Sequence, residues 1–234
     1  MELVSLKTIP MSEFKSDATG NIYLIIIDIS DLEQRVEDMH KVVTDTSWLS
    51  ALNIVEQMTY KARSRPTIEK IVNEILNKVD SDISVDFGEY MVSDTAQSSL
   101  EKYLNHVRLP LAELIKEKIS GNPGFDFHTE SHANFVAFGE AKFSGVQNSH
   151  GRALSQINKF IVAEKDIQEL SDIQHFVSKA AIQSAVNGSK SFTAAFSITS
   201  DDTEKIMDNA LNSQLMLPLL AHKEVYLIGV KVSA

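Results

Sequence analysis

A chain of 234 residues, 43% hydrophobic and 23% charged, can bury a core unaided and has the composition of an ordinary globular protein. It holds no Cys, which excludes disulfides and thiolate metal sites, and a formal charge of −10 argues against broad electrostatic capture of nucleic acid. No run approaches the roughly 18 apolar residues of a membrane span, and the stretch from Met1 to Phe14 lacks the basic-then-apolar order of a secretory signal; a cytoplasmic protein without membrane attachment is expected.

The first strand signal is Asn21 to Ile29, rich in Ile and preceded by Thr19-Gly20. Ser30, with Glu33 three residues on, has capping-box spacing and predicts a helix. Trp48 to Tyr60 reads as a helix or an irregular segment. Pro66 to Lys78 predicts an amphipathic helix, with Pro66 in its first turn and Ile68, Ile71, Val72 and Ile75 on one stripe. A short apolar segment, Ile83 to Phe87, precedes a helix beginning near Gly88. Leu100 to Ile119 is a longer amphipathic segment broken or kinked at Pro110, and Ser120 to Gly124 is a strong stop.

Two strands follow, Phe125 to Glu130 and Asn134 to Phe143, spaced as a hairpin. Gln147 to Glu164 is helical in pattern, with Ala153, Leu154, Ile157 and Ile161 on one side. Another helix is expected over Ile173 to Val186, stopping at Asn187-Gly188. Ser191 to Thr199 and Glu224 to Val232 read as strands, with one or two helices over Thr203 to Leu220 between them. The order implies a mixed α/β sheet flanked by helices on both faces. No long linker is present; residues 1–80 read as an N-terminal α/β subdomain appended to a core of residues 81–234.

Chemistry concentrates between Gly124 and Phe143. In an extended strand Val136, Phe138, Glu140 and Lys142 share one face, and Ala137, Gly139, Ala141 and Phe143 the other. If the two strands pair, Asp126 and Glu140 become neighbours across the ladder. Two carboxylates that close need a cation or a raised pKa, and Lys142 or a metal answers that need. A Glu-x-Lys triplet alone is expected about once by chance in such a chain, so the competing reading is a surface Glu and Lys at a strand end with Asp126 in a turn.

His128 and His132 are four apart, but across a hairpin they would not share a face; His128 could stand behind Asp126. His150 could touch phosphate or sit in a solvated loop. Arg152, Lys159 and Lys165 read as a phosphate-contact row or a solvated helix face. Lys61, Arg63, Arg65 and Lys70 form the densest basic group and read as a nucleic-acid or partner surface. No Gly-x-Ser-x-Gly elbow, phosphate loop or dinucleotide glycine fingerprint occurs, which disfavours a serine hydrolase, an NTPase and a Rossmann oxidoreductase.

Gly88-Glu89, then Gly124-Phe125-Asp126-Phe127-His128, then Phe138-Gly139-Glu140-Ala141-Lys142-Phe143 resemble the PD-(D/E)xK nuclease superfamily. Within it they look most like the nuclease subunit of Hachiman-type bacterial anti-phage systems, over roughly residues 83–200. The resemblance implies a restriction-endonuclease-like sheet and a Mg²⁺ or Mn²⁺ ion held by Asp126, Glu140 and the main-chain carbonyl of Ala141. It also implies that Glu89 joins the metal site and that Lys142 orients or deprotonates the attacking water. Gln156 would match a Gln-x-x-x-Tyr element in which Phe160 replaces the tyrosine; Phe125 likewise replaces the proline that usually precedes the aspartate. The expected function is a metal-dependent DNA endonuclease acting with a helicase-like ATPase partner in antiviral defence. The alternative is a non-catalytic, nuclease-like subunit that binds a partner protein or a DNA end.

Overall fold

The run from Asn21 to Ile29 is apolar on both faces, and both faces are buried. Ile22, Leu24 and Ile26 enter one core, while Ile25, Ile27 and Ile29 enter a second on the opposite side. In the computed structural model, which describes residues 1–76, 84–116, 123–145 and 148–233, this strand is β2 (Asn21–Ile29) of a mixed seven-stranded sheet. The remaining strands are β1 (Glu2–Pro10), β3 (Val107–Arg108), β4 (Phe127–Glu130), β5 (Val136–Lys142), β6 (Ser191–Ile198) and β7 (Glu224–Val232). Their order is β1-β2-β7-β6-β5-β4-β3. The pairings β2–β7, β7–β6 and β6–β5 are parallel, and the outer ones antiparallel. Parallel central strands require cover on both faces, and their uninterrupted apolar sequences supply it.

The helices are α1 (Leu32–Thr44), α2 (Ile54–Lys70), α3 (Val85–Leu104), α4 (Ala112–Ile115), α5 (Ser149–Val162), α6 (Lys165–Gln168), α7 (Leu170–Ile173), α8 (Lys179–Val186) and α9 (Thr203–Leu211). Ala153, Leu154, Ile157 and Phe160 of α5 pack on Phe138, Phe192 and Phe196; Phe87, Met91, Val92 and Ala96 of α3 pack on the other face. A helix–sheet–helix sandwich results. Residues 1–76 share its sheet and its core: β2 pairs with β7 from Asn21↔Glu224 to Ile29↔Val232, and the Trp48 and Tyr60 rings pack on Phe176. The boundary expected near residue 80 lies outside the described residues, as do Lys78, Ile83, the end of the Leu100 to Ile119 segment, the stop at Ser120 to Asn122, and Gln147. Among the described residues no helix is long and apolar enough to cross a membrane.

Local chemistry explains where the elements depart from expectation. The cap of α1 is Asp31, whose Oδ1 accepts from Gln34 N at 2.9 Å, rather than Ser30. Helix α2 starts twelve residues before Pro66, because Asn53 and Glu56 form a full capping box at 3.0 and 3.1 Å. Pro66 therefore lies inside the helix, which gives way to a π-helical turn at Ile71–Ile75. Helix α3 begins at Val85 under a Ser84 cap and ends at Asn105, which adopts the left-handed conformation (φ 55°). That stop, not Pro110, divides the long amphipathic segment, and β3 follows at once. The helix expected over Ile173 to Val186 is broken; α8 starts afresh beneath a Ser178 cap.

One polar group in this interior should make stability depend on pH. His106 is buried, with Nδ1 2.9 Å from Thr129 Oγ1 and Nε2 3.0 Å from Tyr226 Oη. Burial pushes its pKa down to about 4. An unfolded histidine takes a proton below about pH 6.5 while the native one stays neutral, so the native state loses stability as pH falls through that window. Between pH 7 and pH 5 the loss should be about 2 kcal/mol. Urea midpoints for His106→Gln at the two pH values should differ less than those of the wild type; an equal difference would show that His106 is not the group responsible.

Candidate active site at the edge of β5

The hairpin of β4 and β5 pairs Phe127 with Gly139 and His128 with Phe138, so by register Asp126 stands opposite Glu140. Strand β4 begins only at Phe127, yet the ladder does not stop there. Asp126 N donates to Gly139 O at 2.9 Å, and the Asp126 side chain accepts from Ala141 N at 2.8 Å. The carboxylate thus takes the place of the missing strand and is anchored to the backbone of the Glu-Ala-Lys triplet. Gly139 permits this packing, because a Cβ there would overlap the Phe127 ring.

Lys142 Nζ lies 2.6 Å from Glu140 Oε1 and 3.8 Å from Glu89 Oε1. Glu89 reaches the strand because Gly88 lets the Phe143 ring press directly on α3, where a Cβ would collide with it. Two carboxylates therefore flank one ammonium group, with the Asp126 charge close enough to act on it. Glu140 is 1% exposed, and its Oε2 has no hydrogen-bond partner among the described residues. Burial, then the Asp126 charge beside it, raise the Glu140 pKa well above the carboxylate range, with Lys142 only partly opposing. Burial also raises Asp126, against the pull of Lys142 and the Ala141 amide. Burial alone would lower Lys142, but Glu140 and Asp126 outweigh it and hold the ammonium charged.

A buried Glu140 with an oxygen left over, beside a half-buried Asp126 that lines the cleft, suits a hard divalent cation. Among the described residues no three His, Asp or Glu side chains converge as a ready cage. Asp126 and Glu140 are therefore the donor pair on offer, and Mg²⁺ is commonly held by one or two carboxylates while keeping several waters. Glu89 connects to this pair through Lys142, and Ala141 sits between its members with its N–H on Asp126.

Gln156 is half-buried on α5 and makes no hydrogen bond among the described residues. Phe160, at the position of the expected tyrosine, packs its ring 5.1 Å from that of Phe125 and belongs to the core. His128 is buried with Nε2 2.7 Å from Glu169 Oε2, whereas His132 is exposed in the hairpin turn, so the imidazoles do not converge. His150 stacks edgewise on Phe196. Arg152 and Lys159 are exposed on α5, but Lys165 falls beyond it, because Glu164 turns left-handed (φ 55°). Lys61, Arg63, Arg65 and Lys70 are all exposed on α2. Lys61 and Arg65 share one face of α2 and Arg63 and Lys70 another; Lys70 borders a cleft of about 230 Å³ that Thr67, Tyr90, Ser93, Glu113 and Asp126 also line.

Two residues at the site carried no sequence signal. Glu169 accepts from Phe125 N at 2.9 Å, and Lys116 donates to Phe125 O, so both hold the peptide next to Asp126. Glu169 lies 44 positions from Phe125, and no local period connects them. No protein-family model matches the chain, and no curated protein or solved structure is significantly similar to it.

Proposed function

We propose that this chain is a divalent-metal-dependent nuclease of the PD-(D/E)xK kind that hydrolyses phosphodiester bonds in DNA. The observation that carries the reading is half-buried Asp126 beside buried Glu140, with Lys142 alongside, at the end of β5 and beside an open cleft. A Mg²⁺ or Mn²⁺ ion between the carboxylates would supply Lewis-acid polarisation of the phosphate and acidify an attacking water. Asp126 and Glu140 would hold that ion and fix its place relative to β5. Lys142, kept charged by its neighbours, serves better as a cation that orients water and offsets charge building at phosphorus than as a proton acceptor. Glu89 keeps the Lys142 chain from swinging away. In-line attack would leave 5′-phosphate and 3′-hydroxyl ends. Arg63 and Lys70, which share an exposed face of α2 with Lys70 at the cleft, offer a path for the backbone despite the overall acidity. As in the anti-phage systems that the motifs resemble, we place the activity in bacterial defence, with a helicase-like ATPase partner that holds the DNA.

Mn²⁺ should raise the thermal midpoint. At a hundredfold excess over Kd the gain is about 2.7 kcal/mol, which corresponds to roughly 5–10 °C for a chain of this size. Asp126→Asn should abolish that gain. The isolation of Gln156 favours a second reading, a non-catalytic subunit that binds a partner or a DNA end. No Mn²⁺-dependent rise in the wild type would support it and sink the nuclease.

A further inference from the structure

Asp126 itself belongs to no strand, so something must hold the turn that carries it. Glu169, at the end of α6, is 6% exposed and has both oxygens occupied. Oε1 accepts from Phe125 N at 2.9 Å and lies 2.7 Å from Lys116 Nζ; Oε2 lies 2.7 Å from His128 Nε2. Lys116 Nζ in turn donates to the Phe125 carbonyl. Both polar atoms of the residue before Asp126 are thus gripped from outside the hairpin, one by a carboxylate and one by an ammonium. The fit leaves no slack at Gly124, where a Cβ would overlap Glu169 Oε1 and crowd Lys116 Nζ at 3.0 Å. His128 ties the same carboxylate to β4, and its ring packs on Phe138 at a centroid distance of 5.4 Å.

We infer that Lys116, Glu169 and His128 form a clamp of positioning residues that sets the Asp126 carboxylate against Ala141 and Glu140, and so governs divalent-cation binding at a site none of them touches. The cation half of this inference rests on the nuclease reading; the clamp half does not. A buried ion pair anchors a geometry well because breaking it leaves an uncompensated charge. Here the pair is spent on the two peptide groups that flank Phe125, immediately before the candidate ligand.

Two readouts separate the halves. Amide hydrogen exchange by NMR reports on Ala141 N–H, which the Asp126 carboxylate holds irrespective of any metal. Glu169→Gln keeps an acceptor for Phe125 N but loses the charge that pairs Lys116, and Glu169→Ala loses both. Ala141 exchange should quicken at least tenfold in Glu169→Ala and by a smaller factor in Glu169→Gln, with Leu227 in β7 unchanged. Calorimetry with MnCl₂ should show affinity falling about tenfold in Glu169→Ala. Ser191→Ala, which removes the buried hydrogen bond from Ser191 to Glu224 near the starts of β6 and β7, is the control and should leave both readouts as in the wild type. Unchanged Ala141 exchange in a folded Glu169→Ala protein overturns the clamp. So does an equal effect of Ser191→Ala, which would reduce the result to general loosening. Should Glu169→Ala fail to fold, Glu169→Gln decides alone: Ala141 exchange at the wild-type rate in it overturns the clamp. If the wild type binds no Mn²⁺ while Glu169→Ala still frees Ala141, the clamp stands and the nuclease reading falls.

Discussion

Replacing Glu140 by Gln and Lys142 by Met together should lower Mg²⁺-dependent cleavage of DNA by about 10³-fold or more, the loss expected when several kcal/mol of charge stabilisation are removed. The fold should survive, and in chelator the double variant should be slightly more stable than the wild type. The argument is electrostatic. Glu140 is buried against Asp126, and its pKa is raised, so at neutral pH ionising it costs the native state more than the unfolded chain. Gln fills the same space without the charge, and Met removes the ammonium that Glu140 would otherwise leave behind. A gain of about 1 kcal/mol would lift the thermal midpoint by roughly 2–4 °C. Removing both members of a buried pair takes the desolvation burden away with the charges, and sites that trade stability for function behave this way. Cleavage at the wild-type rate by the double variant would remove Glu140 and Lys142 from any catalytic role.

What could be read from the sequence was what has a short period. Strands β2, β6 and β7 are continuous apolar runs, and each lies within a residue of its expected bounds. The opposition of Asp126 and Glu140 follows from a period of two and a tight hairpin, both visible in the residue order. Strand β1 escaped notice because it is an edge strand with one side open: Leu3 and Ile9 alternate with Glu2, Ser5, Lys7 and Thr8, too weak a pattern to stand out. The start of α2 was hidden by Pro66, a plausible first-turn residue, although Asn53 and Glu56 already carried the stronger signal. Glu169 and Lys116 were invisible for a different reason. Their roles exist only once α6 and the segment after α4 are folded against the hairpin, and no spacing within either stretch encodes that.

Asp94 makes a further large effect predictable, at a position with no part in the chemistry. It is 3% exposed on α3 and accepts hydrogen bonds from Arg35 of α1 and Arg108 of β3, while Arg35 Nε has no partner among the described residues. Two guanidinium groups therefore depend on one carboxylate, and Asp94→Ala would leave Arg35 charged and enclosed. Breaking a buried pair from one side costs about 3–5 kcal/mol, so the thermal midpoint should fall by roughly 6–20 °C. Replacing all three members, as in Arg35→Met with Asp94→Leu and Arg108→Met, should recover most of that loss, because the desolvation burden leaves with the charges. A single Asp94→Ala that loses less than about 1 kcal/mol would mean that water reaches Arg35 and that the cluster contributes as little as a surface pair. The consequence for the site comes through α3, which carries Glu89 five residues before Asp94. Gln97, on the same helix, donates to the carbonyls of Leu109 and His128 at 3.1 and 3.0 Å. Asp94 and Gln97 together join α1, β3 and β4 to the helix that brings Glu89 to Lys142. Asp94→Ala should therefore weaken Mn²⁺ binding modestly even at temperatures where the protein remains folded.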